Sequence, residues 1–231
     1  MTMTLTGRTA EQEAAAKDTA KILVDIGAVN FRPEDPYILT SGRASPVYID
    51  CRKLISFPEQ RARVIGHAAR AIAGAASDKP VEAVAGGETA GIPYAAWISD
   101  KMGLPMLYVR KQPKGFARMG QIEGEMAAGC HVLLVEDMAT DGGSKVNFIN
   151  AIRKAGGSID RVFVVFYYGI FPEALTTMDD LGVKLVWLAV WSDIIDLAEE
   201  RQTYPPELIA EVRAYLDDPH GWSAVHGGKG A

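Results

Sequence analysis

From residue 81 onward, short apolar runs alternate with stretches whose apolar residues recur at helical spacing. The runs have the length of buried strands, and two of them lead directly into glycines or acidic residues. This alternation predicts an α/β fold with a doubly wound, mostly parallel sheet that binds its ligand at the carboxyl ends of the strands. The predicted strands are residues 81–85, 105–109, 132–135, 161–168 and 185–190, and the predicted helices include residues 58–74, 172–178 and 206–216.

The segment before residue 58 follows a different pattern. Thr9 and Gln12 have the spacing of a capping box, and Gly27 is a suitable C-terminal stop for the Ala-rich helix that begins there. Two short strand patterns, residues 37–40 and 47–50, flank a turn and indicate a hairpin. Because the hairpin precedes the alternating part of the chain, we expect it to lie outside the main sheet. The Gly-rich tail from residue 221 is expected to fray.

The most informative stretch is residues 131–145, which reads HVLLVEDMATDGGSK. Four aliphatic residues predict a buried strand, Glu136 and Asp137 end it, and an amphipathic helix with Val146 on its apolar stripe follows the small residues. A tight turn at a helix N-terminus lets backbone N–H groups converge on a phosphate group. Two acids beside such a site would repel a bare polyphosphate. We therefore expect a ligand that also carries hydroxyl groups or a divalent cation.

The common nucleotide-binding loops are not predicted, because the chain lacks the G-x-x-x-x-G-K-[ST] spacing and no G-x-G-x-x-G opens a helix.

Two other loops bear on the identity of this ligand. Gly86 and Gly87 follow the strand 81–85, where a ligand can approach the backbone. The segment 110–120 contains four cations and no hydrophobic period. Such a loop is usually just solvated, but beside an anionic ligand it is predicted to close as a cationic lid.

Composition and charge make several classes of protein less favoured. With 24 basic and 29 acidic side chains the net charge is −5, which does not favour a nucleic-acid scaffold. The two cysteines, Cys51 and Cys130, indicate neither a disulfide framework nor a zinc site. The N-terminus lacks the build of a signal peptide, and no apolar run approaches membrane-spanning length. A soluble cytoplasmic protein is expected.

Two stretches carry a family resemblance that spans nearly the whole chain. Residues 131–145 resemble the phosphoribosyl pyrophosphate (PRPP) signature of the type I phosphoribosyltransferases. Residues 39–50, which read LTSGRASPVYID, are similar to a segment of the orotate phosphoribosyltransferases. The resemblance implies a single type I phosphoribosyltransferase-like domain, residues 1–231. In it, residues 1–56 contribute a small N-terminal hood over the base and residues 110–128 form the mobile lid.

The resemblance also implies the roles of individual residues. Lys114, Asp137 and Glu136 are the implied catalytic residues, with Glu136 and Asp137 near a Mg²⁺ ion that PRPP itself mainly holds. The implied PRPP-binding residues are Arg110, Lys111, Lys114, Glu136, Asp137, Met138, Ala139, Thr140, Asp141, Gly142, Gly143, Ser144, Glu88, Thr89 and Ala90. The implied orotate-binding residues are Thr140, Arg43, Tyr48 and Ile49.

The implied reaction is the magnesium-dependent transfer of the ribosyl 5-phosphate group from PRPP to orotate. It gives orotidine 5′-monophosphate and pyrophosphate in the de novo synthesis of UMP. The implied partners are these small molecules and a second copy of the chain, because the family's lid loop reaches the neighbouring site of a homodimer. Neither a nucleic acid nor a membrane is an implied partner.

The chain departs from the family pattern at the base. Thr40 stands where the family motif has lysine, and the segment 167–169 lacks the arginine that usually grips the carboxylate of the base. A phosphoribosyltransferase for another base, such as a purine, is therefore the alternative; a PRPP-sensing regulator that binds nucleic acid is less favoured, since no basic module is added. If orotate is the base, we expect Arg43 and the amides of the Ser41–Gly42 turn to meet its carboxylate.

Overall fold

The computed structural model describes residues 7–39, 41–77, 79–113, 120–140 and 142–230. They form two compact units. The sheet unit comprises Pro58–Tyr167 and Phe171–Leu188, and the hood unit comprises the described residues up to Phe57, Tyr168–Ile170 and those from Ala189 onward. In chain order the elements are α1 (Ala10–Asp25), β1 (Val29–Phe31), β2 (Tyr37–Ile38), β3 (Ala44–Ser45), β4 (Val47–Ile49), a 3₁₀ helix (Cys51–Ser56), α2 (Pro58–Gly74), β5 (Ala83–Gly87), α3 (Gly91–Met102), β6 (Met106–Val109), β7 (Ile122–Glu123), β8 (His131–Ala139), α4 (Gly143–Lys154), β9 (Ser158–Tyr167), α5 (Glu173–Asp180), β10 (Lys184–Val190), α6 (Trp191–Arg201), α7 (Pro206–Asp217) and α8 (Pro219–Val225).

The sheet unit is built on one sheet with the strand order β10–β9–β8–β5–β6–β7. β8 runs parallel to both of its neighbours, β5 and β9, whereas β7 is antiparallel to β6 at the edge. The first seven residues of β8 are all buried, which explains its continuous apolar run. The predicted doubly wound, mostly parallel sheet is thus confirmed. Because β5 and β8 are adjacent and parallel, the loops that follow them meet at one edge.

The helices of the sheet unit cover this sheet with apolar stripes. α2 spans the predicted residues, 58–74, and buries Val64, Ala68 and Ile72 at helical spacing. In α4 the predicted stripe needs one correction: Val146 is only half-buried, and Phe148 is buried instead. Among the described residues, no helix combines the length and apolarity needed to cross a membrane.

The hood unit contains the predicted N-terminal helix, but the predicted hairpin of residues 37–40 with residues 47–50 was wrong, because each of these segments pairs with a different strand. α1 begins with the expected capping box, in which Thr9 and Gln12 exchange side-chain and backbone hydrogen bonds, and Gly27 follows its end with a φ of 67°. β2 pairs antiparallel with β3, and β4 pairs antiparallel with β1, in two small sheets separate from the main one. The placement of both segments outside the main sheet is nevertheless confirmed.

The prediction of a frayed tail was wrong. Residues Pro219–Val225 form α8, whose Trp222 is buried and stacks on His226 with ring centroids 3.6 Å apart. Beyond the helix, the Gly228 N–H donates to the Ser223 carbonyl group (2.9 Å), and the Lys229 N–H donates to the carbonyl group of Gly42 (2.9 Å). The buried indole and these backbone hydrogen bonds offset the entropy that the glycines lose on ordering.

Candidate active site

The two acids of the central stretch lie within β8, and not at its end as the sequence suggested. The strand continues to Ala139, and Glu136 is opposite Val164 of β9. Both acids are buried, with 8% and 9% of their surface exposed. The Asp137 Oδ1 atom accepts a hydrogen bond from the Met138 N–H (2.9 Å). Because both residues belong to a strand of the sheet, the backbone that carries the two carboxyl groups is held in place.

Two glycines make room for the Glu136 carboxyl group. A Cβ atom at Gly87, the last residue of β5, would overlap Glu136 Oε1 and lie 2.7 Å from Phe148 Cε2. A Cβ atom at Gly91, the first residue of α3, would lie 2.3 Å from the Val135 carbonyl oxygen and 2.9 Å from the same carboxyl oxygen. Since real Cβ atoms do not approach other atoms so closely, Gly87 is required wherever this glutamate occupies its observed position, and Gly91 is required by the backbone of β8 as well.

Glu136 is left incompletely bonded. Its Oε1 atom is buried and has no hydrogen-bond partner among the described residues. Burial raises the pKa of Glu136 to about 7; the charge of Asp137 adds to this shift, and the charges of Lys145 and Lys111 oppose it. A buried carboxyl oxygen without a donor is costly, and perturbed acids of this kind are concentrated at functional sites. The arrangement therefore favours a ligand that supplies the missing donor.

The loop after β8 leads directly into the start of α4. Gly142 has a φ of 83°, a left-handed conformation that favours glycine, and the helix begins at Gly143. The Gly142 carbonyl group accepts a hydrogen bond from the Lys145 N–H (3.0 Å). Gly143 and Ser144 are exposed, so the N-terminal turn of α4 is open to a ligand.

The loop after β5 is joined to the start of the predicted lid. The Glu88 carboxylate accepts a hydrogen bond from the Lys111 N–H (2.7 Å). From the other side, Asn147 of α4 donates through Nδ2 to the Lys111 carbonyl group (3.0 Å). The backbone of Lys111 is therefore held between two elements, and the charge of its side chain acts on Glu136. The Glu88–Thr89 peptide bond is cis.

The return path of the predicted lid is also fixed. The Arg110 N–H donates to the Gln121 carbonyl group (2.8 Å), and the Arg110 guanidinium lies 3.5 Å from the Glu123 carboxylate. Glu123 belongs to β7, which pairs with β6. Part of the segment expected to be a lid, residues 110–128, is therefore a strand of the sheet. Lys114 lies outside the described residues.

The structure brings most of the predicted PRPP-binding residues to one edge of the sheet unit. At the carboxyl ends of β5, β6 and β8 lie Glu88, Thr89, Ala90, Arg110, Lys111, Glu136, Asp137, Met138, Ala139, Thr140, Gly142, Gly143 and Ser144. Asp141 and Lys114 fall outside the described residues. Two polar residues at this edge, Lys145 and Asn147, were missed by the sequence analysis. Lys145 carried a signal, since it shares the buried stripe of α4 with Phe148 and Ile149.

Comparison with known proteins adds the decisive observation. A scan against protein-family profiles gives no match. The chain is 50% identical to the orotate phosphoribosyltransferase of Sinorhizobium medicae (strain WSM419), over 96% of this chain and 95% of that protein. It is 47% identical to the orotate phosphoribosyltransferase of Ruegeria sp. (strain TM1040), over 93% of this chain and 95% of that protein.

The chain belongs to the orotate phosphoribosyltransferase family. Solved structures agree with this assignment. The orotate phosphoribosyltransferase from Aeropyrum pernix is 30% identical, with a TM-score of 0.66 over 78% of this chain and 98% of that one. UMP synthase from Leishmania donovani is 28% identical, with a TM-score of 0.73 over 90% of this chain and 42% of that longer protein. The type I phosphoribosyltransferase fold implied by the sequence is confirmed.

The orotate-binding residues implied by the family in the hood unit differ in exposure. Arg43 is half-buried in the turn between β2 and β3. Tyr48 is half-buried on β4, with its ring 5.3 Å from that of Tyr37, and its hydroxyl group accepts a hydrogen bond from Arg52 (2.9 Å). Ile49 has only 1% of its surface exposed. Arg43 and Tyr48 can therefore offer side chains to a ligand, whereas Ile49 supports the strand from the core.

The hood turn is bonded differently from expectation. The Gly42 N–H, one of the amides expected to meet a carboxylate, is donated to the Leu39 carbonyl group (2.8 Å). A Cβ atom at Gly42 would lie 3.0 Å from two carbons of the Lys229 side chain, so the aliphatic part of that lysine packs on the turn. Thr40 lies outside the described residues. The C-terminal tail thus brings a second cation to the turn that carries Arg43.

The donors at the active-site edge fit a magnesium ion that is held mainly by its substrate. Mg²⁺ prefers hard oxygen ligands and usually keeps several waters. Glu136 and Asp137 offer adjacent carboxylates, and Glu136 Oε1 lacks a partner. Within the described part of the chain, no group of three or more His, Cys, Asp or Glu side chains could enclose a metal ion.

Proposed function

We propose that this chain transfers the ribosyl 5-phosphate group from PRPP to orotate, releasing pyrophosphate and forming orotidine 5′-monophosphate for UMP synthesis. The observation that carries the proposal is the unpartnered carboxyl oxygen of Glu136, which lies in the carboxyl-terminal half of β8, beside the open N-terminus of α4. The hydroxyl groups of a ribose supply the donors that this oxygen lacks. The helix N-terminus suits the phosphate group of the same ligand.

PRPP has three parts, and each is assigned to a different element. The loop 138–144 binds the 5′-phosphate, since the helix that follows it opens toward solvent. Glu136 and Asp137 bind the ribose hydroxyl groups. Residues 88–90 bind the pyrophosphate, next to Lys111, whose backbone is already bonded to Glu88.

Catalysis in this scheme stabilises the leaving group. As the bond from the ribose to pyrophosphate breaks, positive charge develops on the ribose ring and negative charge on the departing oxygens. Arg110, Lys111 and Lys114 neutralise those oxygens, and the closed lid excludes water from the site. When bound, Mg²⁺ would supply further positive charge to the leaving group, and Glu136 and Asp137 are the residues that would hold it. A protein nucleophile is not required.

We propose further that the lid acts across a homodimer, as it does in the family that the sequence resembles. Within this segment the Arg110 N–H donates to the Gln121 carbonyl group, and Lys114 lies between these two residues in sequence. The two cysteines are free and buried, which fits the reducing cytoplasm as the place of action.

Recognition of the base is assigned to Arg43 and Tyr48 in the hood unit; in the sheet unit it is assigned to Thr140. Lys229 adds positive charge to the same turn as Arg43, where the family's lysine is absent. Arg43→Ala should raise the KM for orotate by about tenfold, the effect of one lost charged hydrogen bond, and change the KM for PRPP much less. The matched control is Arg213→Ala, which removes an exposed guanidinium of the same unit. An unchanged orotate KM would move base recognition elsewhere.

The experiment that tests the proposed function is turnover with a panel of free bases. The wild-type protein is incubated with PRPP, Mg²⁺ and orotate, uracil, adenine or hypoxanthine, and pyrophosphate release is measured for each base. We expect orotate to give a kcat/KM at least about a hundredfold higher than the other bases, because a site built for a charged group rejects ligands that lack it. Preference for adenine or hypoxanthine would establish the purine alternative instead.

A further inference from the structure

Lys145 is a buried cation at the edge that we assign to PRPP. Only 5% of its surface is exposed, although it lies in the first turn of α4. Its Nζ atom donates to the carbonyl group of Met138 (2.6 Å) and lies 3.3 Å from the Ser144 hydroxyl group. Lysine is rarely buried unless it is paired. A specific task at this position would explain why α4 keeps a lysine on its apolar stripe.

The contacts of Lys145 connect the two ends of one loop. Met138 stands at the start of the loop 138–144 and Ser144 stands at its end. An ammonium group that contacts both ends fixes the distance between them. Gly142, with its left-handed backbone, sets the path in between. The loop is therefore held from its inner side while its outer side remains open at Gly143 and Ser144.

Charge supplies a second reason for this lysine. Between residues 136 and 147 the sequence contains three acids, Glu136, Asp137 and Asp141, and one cation, Lys145. A phosphate monoester at neutral pH carries about −1.5 to −2 charges, so it would meet strong repulsion at this loop without a compensating cation. The charge of Lys145 reaches Glu136, whose pKa it lowers against the effect of burial. The same field favours a phosphate bound on the other side of the loop.

We infer that Lys145 is a positioning residue for the 5′-phosphate of the substrate, and this inference rests on the proposed function. Its ammonium group contacts the Met138 carbonyl group and the Ser144 hydroxyl group, and its charge acts on Glu136. It acts on the phosphate through the loop. The PRPP signature in the sequence includes Lys145, but the resemblance implied no role for this residue.

The test compares Lys145→Met with Lys154→Met, which removes an exposed lysine from the last turn of the same helix. Binding of ribose 5-phosphate and of pyrophosphate is measured by calorimetry, because the first carries only the monoester and the second only the leaving group. Lys145→Met should weaken ribose 5-phosphate and raise the KM for PRPP by about tenfold or more, the effect of losing one charge-assisted contact. Pyrophosphate affinity should stay unchanged, kcat at saturating PRPP should fall less than about threefold, and Lys154→Met should change none of these quantities.

Two further variants keep the test decisive. Lys145→Arg retains the charge and should recover part of the ribose 5-phosphate affinity, whereas Lys145→Gln retains a donor without the charge and should not. Unchanged ribose 5-phosphate affinity in folded Lys145→Gln or Lys145→Met protein would overturn the inference, as would equal weakening of ribose 5-phosphate and pyrophosphate. A wild-type protein that binds ribose 5-phosphate but does not convert orotate would refute the proposed function separately.

Discussion

At the amino end of β8, His131 is enclosed by partners. One ring nitrogen lies 2.9 Å from the Ser158 hydroxyl group and the other lies 3.0 Å from the Asp160 carboxylate. Burial alone would raise the pKa of Asp160, but hydrogen bonds from Ser77 and Arg161 outweigh this effect and hold the pKa below its usual value.

The buried Arg161 completes the arrangement at this end. Its guanidinium donates to the Asp160 carboxylate (3.0 Å) and to the Lys79 carbonyl group (3.1 Å), with longer bonds to the carbonyl groups of Ile72 and Ala75. A cavity of about 380 Å³ lies beside it, yet the guanidinium at its wall is already bonded. His131, Asp160 and Arg161 all have partners within the chain, so this geometry does not indicate a ligand.

At the carboxyl end of the same strand, five residues after His131, the situation is reversed. Glu136 is as buried as the histidine, but one of its oxygens has no partner and burial raises its pKa to about 7. Both ends carry buried ionisable groups, and only one end has satisfied them from within the chain. Burial by itself therefore does not mark a site; what distinguishes the Glu136 end of β8 is a buried ionisable group left without a partner.

The largest expected effect lies at the amino end. Arg161→Met should lower the free energy of unfolding by about 3–5 kcal/mol, because it removes the buried guanidinium that neutralises Asp160 and donates to several carbonyl groups. The KM for PRPP of the protein that remains folded should not change. The measurement is urea unfolding followed by kinetics at a temperature where the variant is folded. Arg70→Met, which removes an exposed guanidinium from α2, is the control, and a raised PRPP KM in Arg161→Met would break the contrast between the two ends.

The next effect lies at the carboxyl end and concerns activity. Asp137→Asn should lower kcat/KM for PRPP by about 10²–10³, the typical result of removing one preorganised electrostatic contact, and leave the protein folded. Steady-state kinetics and a thermal melt on the same sample measure both quantities. Near-normal activity in this variant, or in wild-type protein with excess chelator, would contradict the assignment of ribose and magnesium to these acids.

Asp137→Asn also serves in a test of the lid that is shared between subunits. The second variant in this test, Lys114→Ala, should lower kcat strongly, since the charge of Lys114 is assigned to the leaving group. If the lid works in the neighbouring subunit, mixing Lys114→Ala with Asp137→Asn protein should restore some activity, because one site of each hybrid dimer is intact. Absence of recovery in verified heterodimers would place the lid in its own subunit.

A smaller effect is expected from a substitution at Gly87, which leaves space for the Glu136 carboxyl group. Gly87→Ala should lower the free energy of unfolding by about 1–3 kcal/mol, since the added methyl group overlaps the Glu136 carboxyl group. Gly74→Ala is the matched control, because a Cβ atom there meets nothing within 4 Å. In a Glu136→Ala background the cost of Gly87→Ala should be smaller. An equal cost in both backgrounds would show that the overlap with Glu136 is not the cause.

Much of the fold could be predicted from the sequence because each element carried its own pattern. The runs in β8 and β9 and the capping box of α1 are local signals, and the structure contains these elements. α6 was not predicted, since it follows β10 without a glycine or proline to mark the change. Its start is set by Asp193, whose carboxylate accepts the N–H of Val190 (2.8 Å). The order of the tail depends on Trp222 and on long-range bonds to Gly42, which no local pattern reveals.

The candidate site was predictable in part for the same reason. The acids and the small residues after β8 are adjacent in sequence, so their chemistry could be read directly. The importance of Lys145 and Asn147 depends on hydrogen-bond partners elsewhere in the fold. Lys145 donates to Met138 across the loop, and Asn147 donates to Lys111 on another element. The missing partner of Glu136 is likewise a property of the folded site. Sequence shows which groups are present, and only packing shows which remain unsatisfied.

The most direct test of this contrast is the free energy of unfolding of Glu136→Gln and of wild-type protein, measured at pH 5 and pH 8 in EDTA without substrate. A carboxyl group whose pKa rises from 4.5 to about 7 on folding costs stability that grows as the pH rises through this interval and is constant above it. Glu136→Gln should therefore be about 2–3 kcal/mol more stable than wild type at pH 8, and this advantage should shrink by about 2 kcal/mol at pH 5. If the difference were the same at both pH values, or if the glutamine variant were the less stable protein at pH 8, Glu136 would be a satisfied structural residue and the account would be contradicted.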